Sequence, residues 1–341
     1  MFSFKDFDAV VITDEKRIFY LTGFFAEDAT VVITEDEKLL LTDMRYFHAA
    51  EKHFYGGDYK AVLGGAEFLK EYVEKKKIKR IGVDYSSTTL KQSATIRKCC
   101  SSLCDVSSFL EESALIKSEK EIAKISKACR ITEETFAEVL PYVKEGVSER
   151  ELQAEIIYRF LKKGAEKPSF APIVAFGENS AIPHHETGDT RLKSGQAVLF
   201  DIGCVCGGYC SDFTRTVFYG KPTAEFYGAY NVVYDAFFNV YNNVTAGTSC
   251  SEADGLARAV LEKENLPFTH SLGHGVGINI HERPYLSKKS KEVLKNGNVF
   301  TIEPGCYIAG KFGIRLEDTV YLKDGKVNDF YTFDKKLKII E

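Results

Sequence analysis

Two acidic residues interrupt an otherwise strand-like stretch, FDIGCVCGGYCSDFTRTVFYG, at residues 200–220. The runs on either side are apolar, and Gly207-Gly208 between them is typical of a tight turn, so the stretch predicts an antiparallel hairpin. Asp201 and Asp212 are eleven residues apart, and in a hairpin with an even-numbered loop directly opposed residues differ by an odd number. We therefore expect the two carboxylates to oppose each other on one face, with Cβ atoms about 5 Å apart.

Two opposed carboxylates repel each other. At a separation of ~4 Å and an effective dielectric constant of ~20, the repulsion is about 4 kcal/mol, so a proton or a cation is expected between them. The alternative is that both aspartates face solvent, and the hairpin alone does not decide between the two. The cysteines of the same stretch have no fourth Cys or His at a zinc-like spacing. Parity places Cys204 and Cys206 on the face opposite Asp201, whereas Cys210 shares the parity of Asp212.

Further polar residues follow in the last quarter of the chain. His274 and His281 belong to the Gly-rich segment SLGHGVGINIHERP, where the backbone can approach a ligand closely, although either histidine could be structural. Glu303 in TIEPG and Glu317 in GIRLEDTVYL interrupt apolar runs, and an acid facing a core needs a partner. Arg315 is one candidate partner for Glu317, because alternate residues of a regular strand share a face.

Together these residues offer four carboxylates and one imidazole: Asp201, Asp212, His274, Glu303 and Glu317. Four negative charges balance two divalent cations. Oxygen-rich ligation with one imidazole suits manganese, cobalt or iron(II) better than a thiolate zinc site. Two such cations lower the pKa of a water that they share and aim it at a carbonyl group. The set therefore predicts a dinuclear centre for hydrolysis.

The 341 residues are enough for roughly two domains. Up to about Asp105 the sequence alternates between short apolar strand candidates (AVVIT, TVVIT, KLLLT, RIGVDYS) and the amphipathic helix EFLKEYVEKKKI, which predicts a small α/β domain. Capping boxes at Ser118–Glu121 and Ser148–Glu151 then open two helices, and strands follow. A similar order recurs from EFYGAYNVVYDAFFNVY onward, which suggests an internal duplication. We place the linker near residues 110–118.

Composition excludes some classes of partner. A formal net charge of −4 gives no reason to expect nucleic acid or an anionic membrane as a partner. No apolar run approaches the ~18 residues of a membrane span. No N-terminal signal is apparent, and the nine cysteines lack the regular framework of a small secreted domain. We therefore expect reduced thiols in a cytoplasmic protein.

The motifs DIG…GYCSDFTRT, SLGHGVGINIHERP, TIEPGCY and GIRLEDTV stand in an order and at spacings that resemble the pita-bread metallopeptidases. Their proline-directed branch, the Xaa-Pro dipeptidases (prolidases) and Xaa-Pro aminopeptidases, is the most similar. IFYLTGF and LLLTDMRYFHAA resemble the creatinase/prolidase N-terminal domain, so the resemblance covers nearly the whole chain. It implies an α+β protein with a creatinase/prolidase-like domain at residues 1–112 and a pita-bread catalytic domain, with a duplicated helix-helix-strands unit and a curved antiparallel sheet, at residues 118–341.

The resemblance also implies roles for individual residues. Asp201 would chelate one metal, Asp212 and Glu317 would bridge both, and His274 would bind the other metal together with Glu303. Glu303 is the candidate for proton transfer, and His184 and His281 match histidines that contact the substrate and stabilise the tetrahedral intermediate. The remaining substrate candidates are His185, which follows His184 in AIPHH, Arg315, Arg283 and Tyr285.

The implied activity is metal-dependent hydrolysis of the bond between an N-terminal residue and proline. Two divalent ions per chain are expected, manganese first, with cobalt, iron or zinc as alternatives. The expected partner is a proline-containing peptide, and a homodimer is expected because related proteins are often dimeric. Two departures, His184-His185 in place of His-Gly and Tyr285 where some dipeptidases carry a basic residue, leave dipeptidase and aminopeptidase specificity open. Methionine aminopeptidase is the alternative activity, and a non-enzymatic pita-bread binding protein is the alternative class.

Overall fold

The computed structural model describes residues 4–341 of the chain. They divide into two compact units, the first ending at Ala114 and the second beginning at Leu115. None of the helices in the described range has both the length and the apolarity needed to cross a bilayer.

The first unit is a mixed sheet with helices between its strands. Its strands are β1 (Ala9–Ile12), β2 (Thr30–Ile33), β3 (Lys38–Thr42), β4 (Tyr59–Leu63), β5 (Arg80–Val83) and β6 (Ser102–Asp105). Its helices are α1 (Glu15–Thr22), α2 (Phe47–Phe54), α3 (Ala66–Lys76) and α4 (Leu90–Arg97). Within the described residues the sheet order is β4-β3-β2-β1-β5-β6, with β2 antiparallel to both of its neighbours and the other pairs parallel. The strands predicted from AVVIT, TVVIT, KLLLT and RIGVDYS are confirmed.

Helix α5 (Ser107–Leu115) follows β6. The stretch predicted as a linker is therefore helical as far as Leu115. Leu110 is fully buried and anchors this helix to the hydrophobic core of the first unit. The boundary between the two units, after Ala114, lies within the residues 110–118 where we placed the linker.

The second unit repeats one order of elements. Its first half contains α6 (Glu119–Val139), α7 (Glu149–Lys162), β7 (Lys167–Pro168), β8 (Ile173–Phe176), β9 (Gln196–Ile202), β10 (Cys204–Cys206), β11 (Tyr209–Cys210) and β12 (Phe213–Tyr219). Its second half contains α8 (Ala224–Asn243), α9 (Cys250–Lys263), β13 (Gly273–Gly275), β14 (Glu282–Leu286), β15 (Val299–Ile302), β16 (Gly305–Ile308), β17 (Phe312–Arg315), β18 (Glu317–Lys323), β19 (Lys326–Asp329) and β20 (Ile339–Ile340). The predicted fold class, α+β with a helix–helix–strands unit present twice, is confirmed.

One antiparallel path joins the two halves, in the order β14-β13-β15-β18-β12-β9-β8. The central pair, β12 with β18, therefore brings one strand from each half together. Helix α6 begins at the predicted capping box, in which Ser118 and Glu121 cap each other's backbone, and the Ser148–Glu151 box opens α7 in the same way. Phe136 of α6 packs its ring edge against Phe200 and Phe213, so this helix supports the strands that carry the two aspartates.

Candidate metal centre

The hairpin of β9 to β12 places both aspartates on one face, but not directly opposite each other. Its turn consists of Gly207 and Gly208, both with positive φ, and the register counted from that turn pairs Asp201 with Thr214. Asp212 lies two positions before Thr214, so it shares the face of Asp201 as a diagonal neighbour. The predicted direct opposition was wrong, whereas the predicted common face agrees with the register.

The structure brings all five predicted ligands to one cavity of about 790 Å³. They arrive from separate strands: Asp201 from β9, Asp212 from the residue before β12, His274 from β13, Glu303 from the residue after β15, and Glu317 from the start of β18. Candidate ligand atoms of Asp212, His274 and Glu317 all lie within 4.8 Å of one another. His274 Nε2 is 3.5 Å from Asp212 Oδ2 and 3.3 Å from Glu303 Oε1.

His274 presents one particular ring nitrogen to this cluster. Its Nδ1 lies 3.1 Å from the carbonyl oxygen of Gly275, to which it can donate. Burial lowers the pKa of His274 to about 3, so the imidazole is neutral and carries one proton. In the tautomer that donates from Nδ1 to Gly275, the lone pair of Nε2 points toward the carboxylates, as metal ligation requires.

Arg315 pairs with Asp201 rather than with Glu317. Its Nη2 donates to Asp201 Oδ2 at 2.5 Å, and its Nε donates to Thr214 Oγ1 at 3.2 Å. Glu317 accepts instead from Thr214 Oγ1, at 2.5 Å. The predicted pairing assumed one regular strand through both residues, but β17 ends at Arg315 and β18 begins at Glu317, so the alternation of side chains does not continue between them.

Burial and mutual repulsion both disfavour charge on the carboxylates of this cavity. Burial, followed by the neighbouring carboxylates, raises the pKa of Asp212 and of Glu317 well above the ordinary value. Burial likewise raises the pKa of Glu303 to about 8, although the Arg315 guanidinium opposes the shift. One guanidinium cannot neutralise four carboxylates, so the cluster demands protons or further cations.

The donor atoms fit divalent metal ions. Within the described residues, Asp201 Oδ1 and Glu317 Oε1 are buried without a hydrogen-bond partner, a costly state for a carboxylate oxygen unless a cation satisfies it. Carboxylate oxygens and one imidazole nitrogen are ligands that suit manganese, iron(II) or cobalt. The residues present therefore match the metal site that the sequence predicts.

The predicted substrate residues differ in the contacts that hold their side chains. His184, His185, His281 and Tyr285 line the cavity. His281 packs against His274 with ring centroids 4.3 Å apart, and Tyr285 is half exposed at the wall. His185 Nε2 lies 2.9 Å from Glu149 Oε2, so its ring is held by a carboxylate outside the metal cluster.

The structure does not bring Arg283 to the cavity wall. Its Nε donates to Glu292 Oε1 at 2.7 Å, and the same carboxylate accepts from the backbone of Tyr285. The charge of Arg283 thus faces Glu292, and Arg283 is not among the residues that line the cavity.

Two cavity neighbours were missed by the sequence reasoning. His270 Nε2 lies 2.8 Å from the Tyr307 hydroxyl, which also accepts from Arg315 Nη1 at 2.8 Å. Burial, followed by the charge of Arg315, lowers the pKa of His270 to about 4, so this imidazole is neutral. The available signals were its position four residues before His274 and that of Tyr307 four residues after Glu303.

The cysteines of the hairpin lie outside the cavity. All nine cysteines of the chain are free thiols. Cys204 Sγ is 3.4 Å from the carbonyl oxygen of Ala128 on α6, and it also accepts from Thr132. Cys206 is buried too, and Cys210 Sγ faces the carbonyl oxygen of Ile278. None of the three is among the residues that line the cavity.

We expect a Cys204→Ser, Cys206→Ser double variant to bind the same number of metal ions as the wild type and to keep its activity within about twofold. Serine at these buried positions costs about 1–3 kcal/mol in the free energy of unfolding, because its hydroxyl needs a stronger hydrogen bond than a thiol does. Metal content measured by mass spectrometry, beside urea unfolding, tests both parts. A folded variant that loses its metal would mean that the thiols are ligands.

Two family models match this chain, one in each of its two units. Residues 123–324 match metallopeptidase family M24, and residues 2–113 match the creatinase/prolidase N-terminal domain. A Xaa-Pro dipeptidase of Pyrococcus horikoshii is 33% identical over 332 residues, which is 92% of this chain and 90% of that protein.

Solved structures agree with this result. A Xaa-Pro dipeptidase from Bacillus anthracis superimposes with a TM-score of 0.94 at 31% identity, covering 98% of this chain and 95% of the other. An X-Pro aminopeptidase from Thermotoga maritima superimposes with a TM-score of 0.91 at 31% identity, covering 98% of each chain. The sheet that gathers four acids and a histidine into one cavity, and the matches over almost the whole chain, lead to one conclusion: this chain belongs to metallopeptidase family M24, carries a creatinase/prolidase N-terminal domain, and is a metallo-exopeptidase.

Proposed function

We propose that this peptidase uses two divalent metal ions, manganese in the first place, to hydrolyse the bond between an N-terminal residue and proline. The observation that carries the proposal is the cluster of Asp201, Asp212, His274, Glu303 and Glu317, whose four carboxylates are balanced by two divalent charges. Relatives named as Xaa-Pro dipeptidases and X-Pro aminopeptidases support the preference for proline.

When bound, the metals supply an activated water and a Lewis acid that polarises the scissile carbonyl group. The chain supplies the proton transfer. The proline nitrogen of an Xaa-Pro bond carries no hydrogen, so it must gain one proton as the C–N bond breaks. Glu303 is assigned to take the proton released as the new C–O bond forms and to return it to that nitrogen, because its carboxylate lies in the cavity, 3.3 Å from His274 Nε2.

Neutral imidazoles are assigned to the developing oxyanion. His281 lies against His274, and burial lowers the pKa of His281 and of His270 below the ordinary value. A neutral imidazole donates a hydrogen bond from its N–H without adding a positive charge close to the metal ions. His184 is assigned the same task, since it lines the same cavity.

Charge around the cavity favours substrates that continue beyond proline. A dipeptide would place its terminal carboxylate next to the reacting bond, where a buried anion needs a cation. Among the cavity residues that the structure describes, the one Lys or Arg side chain is that of Arg315, and Asp201 and Tyr307 already engage it. We therefore assign the site to Xaa-Pro peptides of three or more residues, as in an Xaa-Pro aminopeptidase.

Manganese-loaded protein is expected to cleave Ala-Pro-Ala with at least about tenfold higher kcat/KM than Ala-Pro, since an unpaired buried charge costs more than about 1 kcal/mol. Ala-Pro-Ala amide should be cleaved as well as the free acid, and it serves as the matched control for the carboxylate. Cleavage of Ala-Pro alone would make the protein a dipeptidase. Cleavage of Met-Ala-Ser alone would make it a methionine aminopeptidase, and inertness with every divalent metal would favour a binding protein.

We also propose a homodimer, which the family resemblance of the sequence motifs implies and which sedimentation analysis can test. A cytoplasmic location is proposed because the nine cysteines are free thiols, and fractionation can test it.

A further inference from the structure

A second buried carboxylate, Glu149, lies outside the metal cluster. It is the first residue of α7, and its side chain is completely buried. Buried carboxylates are rare unless they are paired. The partners of the Glu149 carboxylate are four N–H groups, two for each oxygen.

All four donors belong to residues 176–188, which we name the His184 loop. Oε1 accepts from the Phe176 backbone N–H at 2.9 Å and from Asn179 Nδ2 at 2.8 Å. Oε2 lies 2.9 Å from His185 Nε2 and 3.0 Å from the Gly188 backbone nitrogen. One side chain therefore ties the start, the middle and the end of this loop to α7.

The backbone of α7 adds one hydrogen bond to this loop and one to Thr190, two residues beyond it. The N–H of Glu149 donates to Thr190 O at 3.1 Å, and the N–H of Arg150 donates to Gly188 O at 2.9 Å. The N-terminal end of α7 also favours a negative charge on its first residue. A carboxylate suits this place because both of its oxygens accept. A glutamine would turn one NH2 group toward two donors.

This arrangement distinguishes two adjacent histidines that both line the cavity. The ring of His185 is held by Glu149. The preceding residue, His184, lines the cavity together with His270 and His281. The carbonyl group of Pro183 also lies 3.5 Å from Arg315 Nη1, so the loop meets the metal cluster at the residue before His184.

We propose that Glu149 is a positioning residue, which fixes the His184 loop through His185 so that the His184 imidazole is aimed at the substrate. This inference rests on the proposed function of His184. It predicts that the carboxylate of Glu149 matters for turnover although it touches neither metal nor substrate.

The test is Glu149→Gln, with Glu151→Gln as the matched control. Glu151 lies two residues further along the same helix, is exposed, and caps the backbone of Ser148, a task that glutamine also performs. We expect Glu149→Gln to lower kcat on Ala-Pro-Ala by about tenfold, since displacements of ~1 Å can cost up to a hundredfold. KM and metal content should change by less than twofold, and Glu151→Gln should behave as the wild type does. An unchanged kcat in Glu149→Gln overturns the inference.

A double-mutant cycle separates positioning from general damage. If Glu149 acts through His184, Glu149→Gln should cost less than about twofold in a His184→Ala background. An equal loss in both backgrounds would overturn the inference. If Glu149→Gln does not fold, Asn179→Ala, which removes one donor and keeps the carboxylate, takes its place in the same cycle, with an expected loss of about threefold.

A measurement that does not depend on enzymatic activity separates this inference from the proposed function. In ¹H–¹⁵N spectra of the histidine rings, Glu149→Gln should shift the signals of both His185 and His184, and Glu151→Gln should shift neither. A shift of His185 alone would show that the clamp does not reach His184, and would overturn the inference. Inert wild-type protein that still shows both shifts would refute the proposed function and leave the positioning intact.

Discussion

The Asp212→Asn variant is expected to lose at least about a thousandfold in kcat/KM and to bind divalent metal far more weakly than the wild type. The Asp212 carboxylate is almost fully buried, and its oxygen is grouped with ligand atoms of His274 and Glu317. Asparagine removes one negative charge and places either a weaker oxygen ligand or an NH2 group there. Losses of this size are typical when one member of a catalytic unit is removed. Steady-state kinetics and metal content by mass spectrometry are the measurements.

The matched control is Asp324→Asn. Asp324 is exposed at the turn between β18 and β19 and has a φ of 53°, a conformation that asparagine also tolerates. This variant should retain wild-type activity and metal content. An Asp212→Asn protein that keeps its full metal content and its activity would contradict the ligand assignment.

Unfolding does not account for the expected loss in Asp212→Asn. The pKa of Asp212 is raised by burial and by neighbouring carboxylates, which means that its charged form destabilises the metal-free fold. A neutral residue of the same shape relieves that repulsion. At pH 8 the metal-free variant should therefore be at least as stable toward urea as the metal-free wild type, which separates loss of metal from loss of fold.

Local sequence rules predicted much of this molecule, because several of its features depend on neighbouring residues alone. Both capping boxes need only four residues each, and the strand candidates of the first unit need only their apolar runs. The common face of Asp201 and Asp212 follows from parity. Identifying the residue opposite Asp201 also requires the position of the turn. Counting outward from Gly207-Gly208 pairs Asp201 with Thr214.

Contacts between distant segments could not be predicted in this way. Glu149 has the sequence context of an exposed acid in the first turn of a helix, and it is buried only because residues 176–188 fold over it. The Arg315–Asp201 pair depends on a break between β17 and β18 that the apolar run GIRLEDTVYL does not reveal. His270 joins the cavity through Tyr307, a residue 37 positions away. In each case the prediction would have required knowing contacts between residues that are far apart in the sequence.

Metal-free protein is expected to lose stability as the pH rises from 6.5 to about 8, and bound manganese should abolish that loss. The pKa of Glu303 is about 8 in the folded protein against 4.5 ordinarily, so in this range folded Glu303 is protonated while unfolded Glu303 is ionised. The unfolded state then binds fewer protons, and the free energy of unfolding falls with rising pH. Glu303 alone accounts for roughly 2 kcal/mol over this range, at about 1.4 kcal/mol per pKa unit.

His270 and His274 determine the pH above which the free energy of unfolding is expected to fall. His270 and His274 have pKa values lowered to about 4 and about 3, against 6.5 ordinarily. Below pH 6.5 their unfolded forms bind protons that the folded forms do not, so these two residues make stability rise with pH there. Above pH 6.5 both states of each histidine are neutral, and the buried carboxylates dominate the slope.

Manganese should abolish this loss of stability because it binds the ionised carboxylates and only the folded state. At a thousandfold excess over its Kd, one bound ion adds about 4 kcal/mol to the free energy of unfolding. Urea titrations at pH 6.5, 7.25 and 8, with EDTA or with manganese, give the two curves. Asp329, whose pKa is raised to about 7 mainly by burial, titrates in both forms, so the difference between the curves is the quantity to compare. A difference that does not grow with pH would mean that metal ions do not replace protons on these carboxylates.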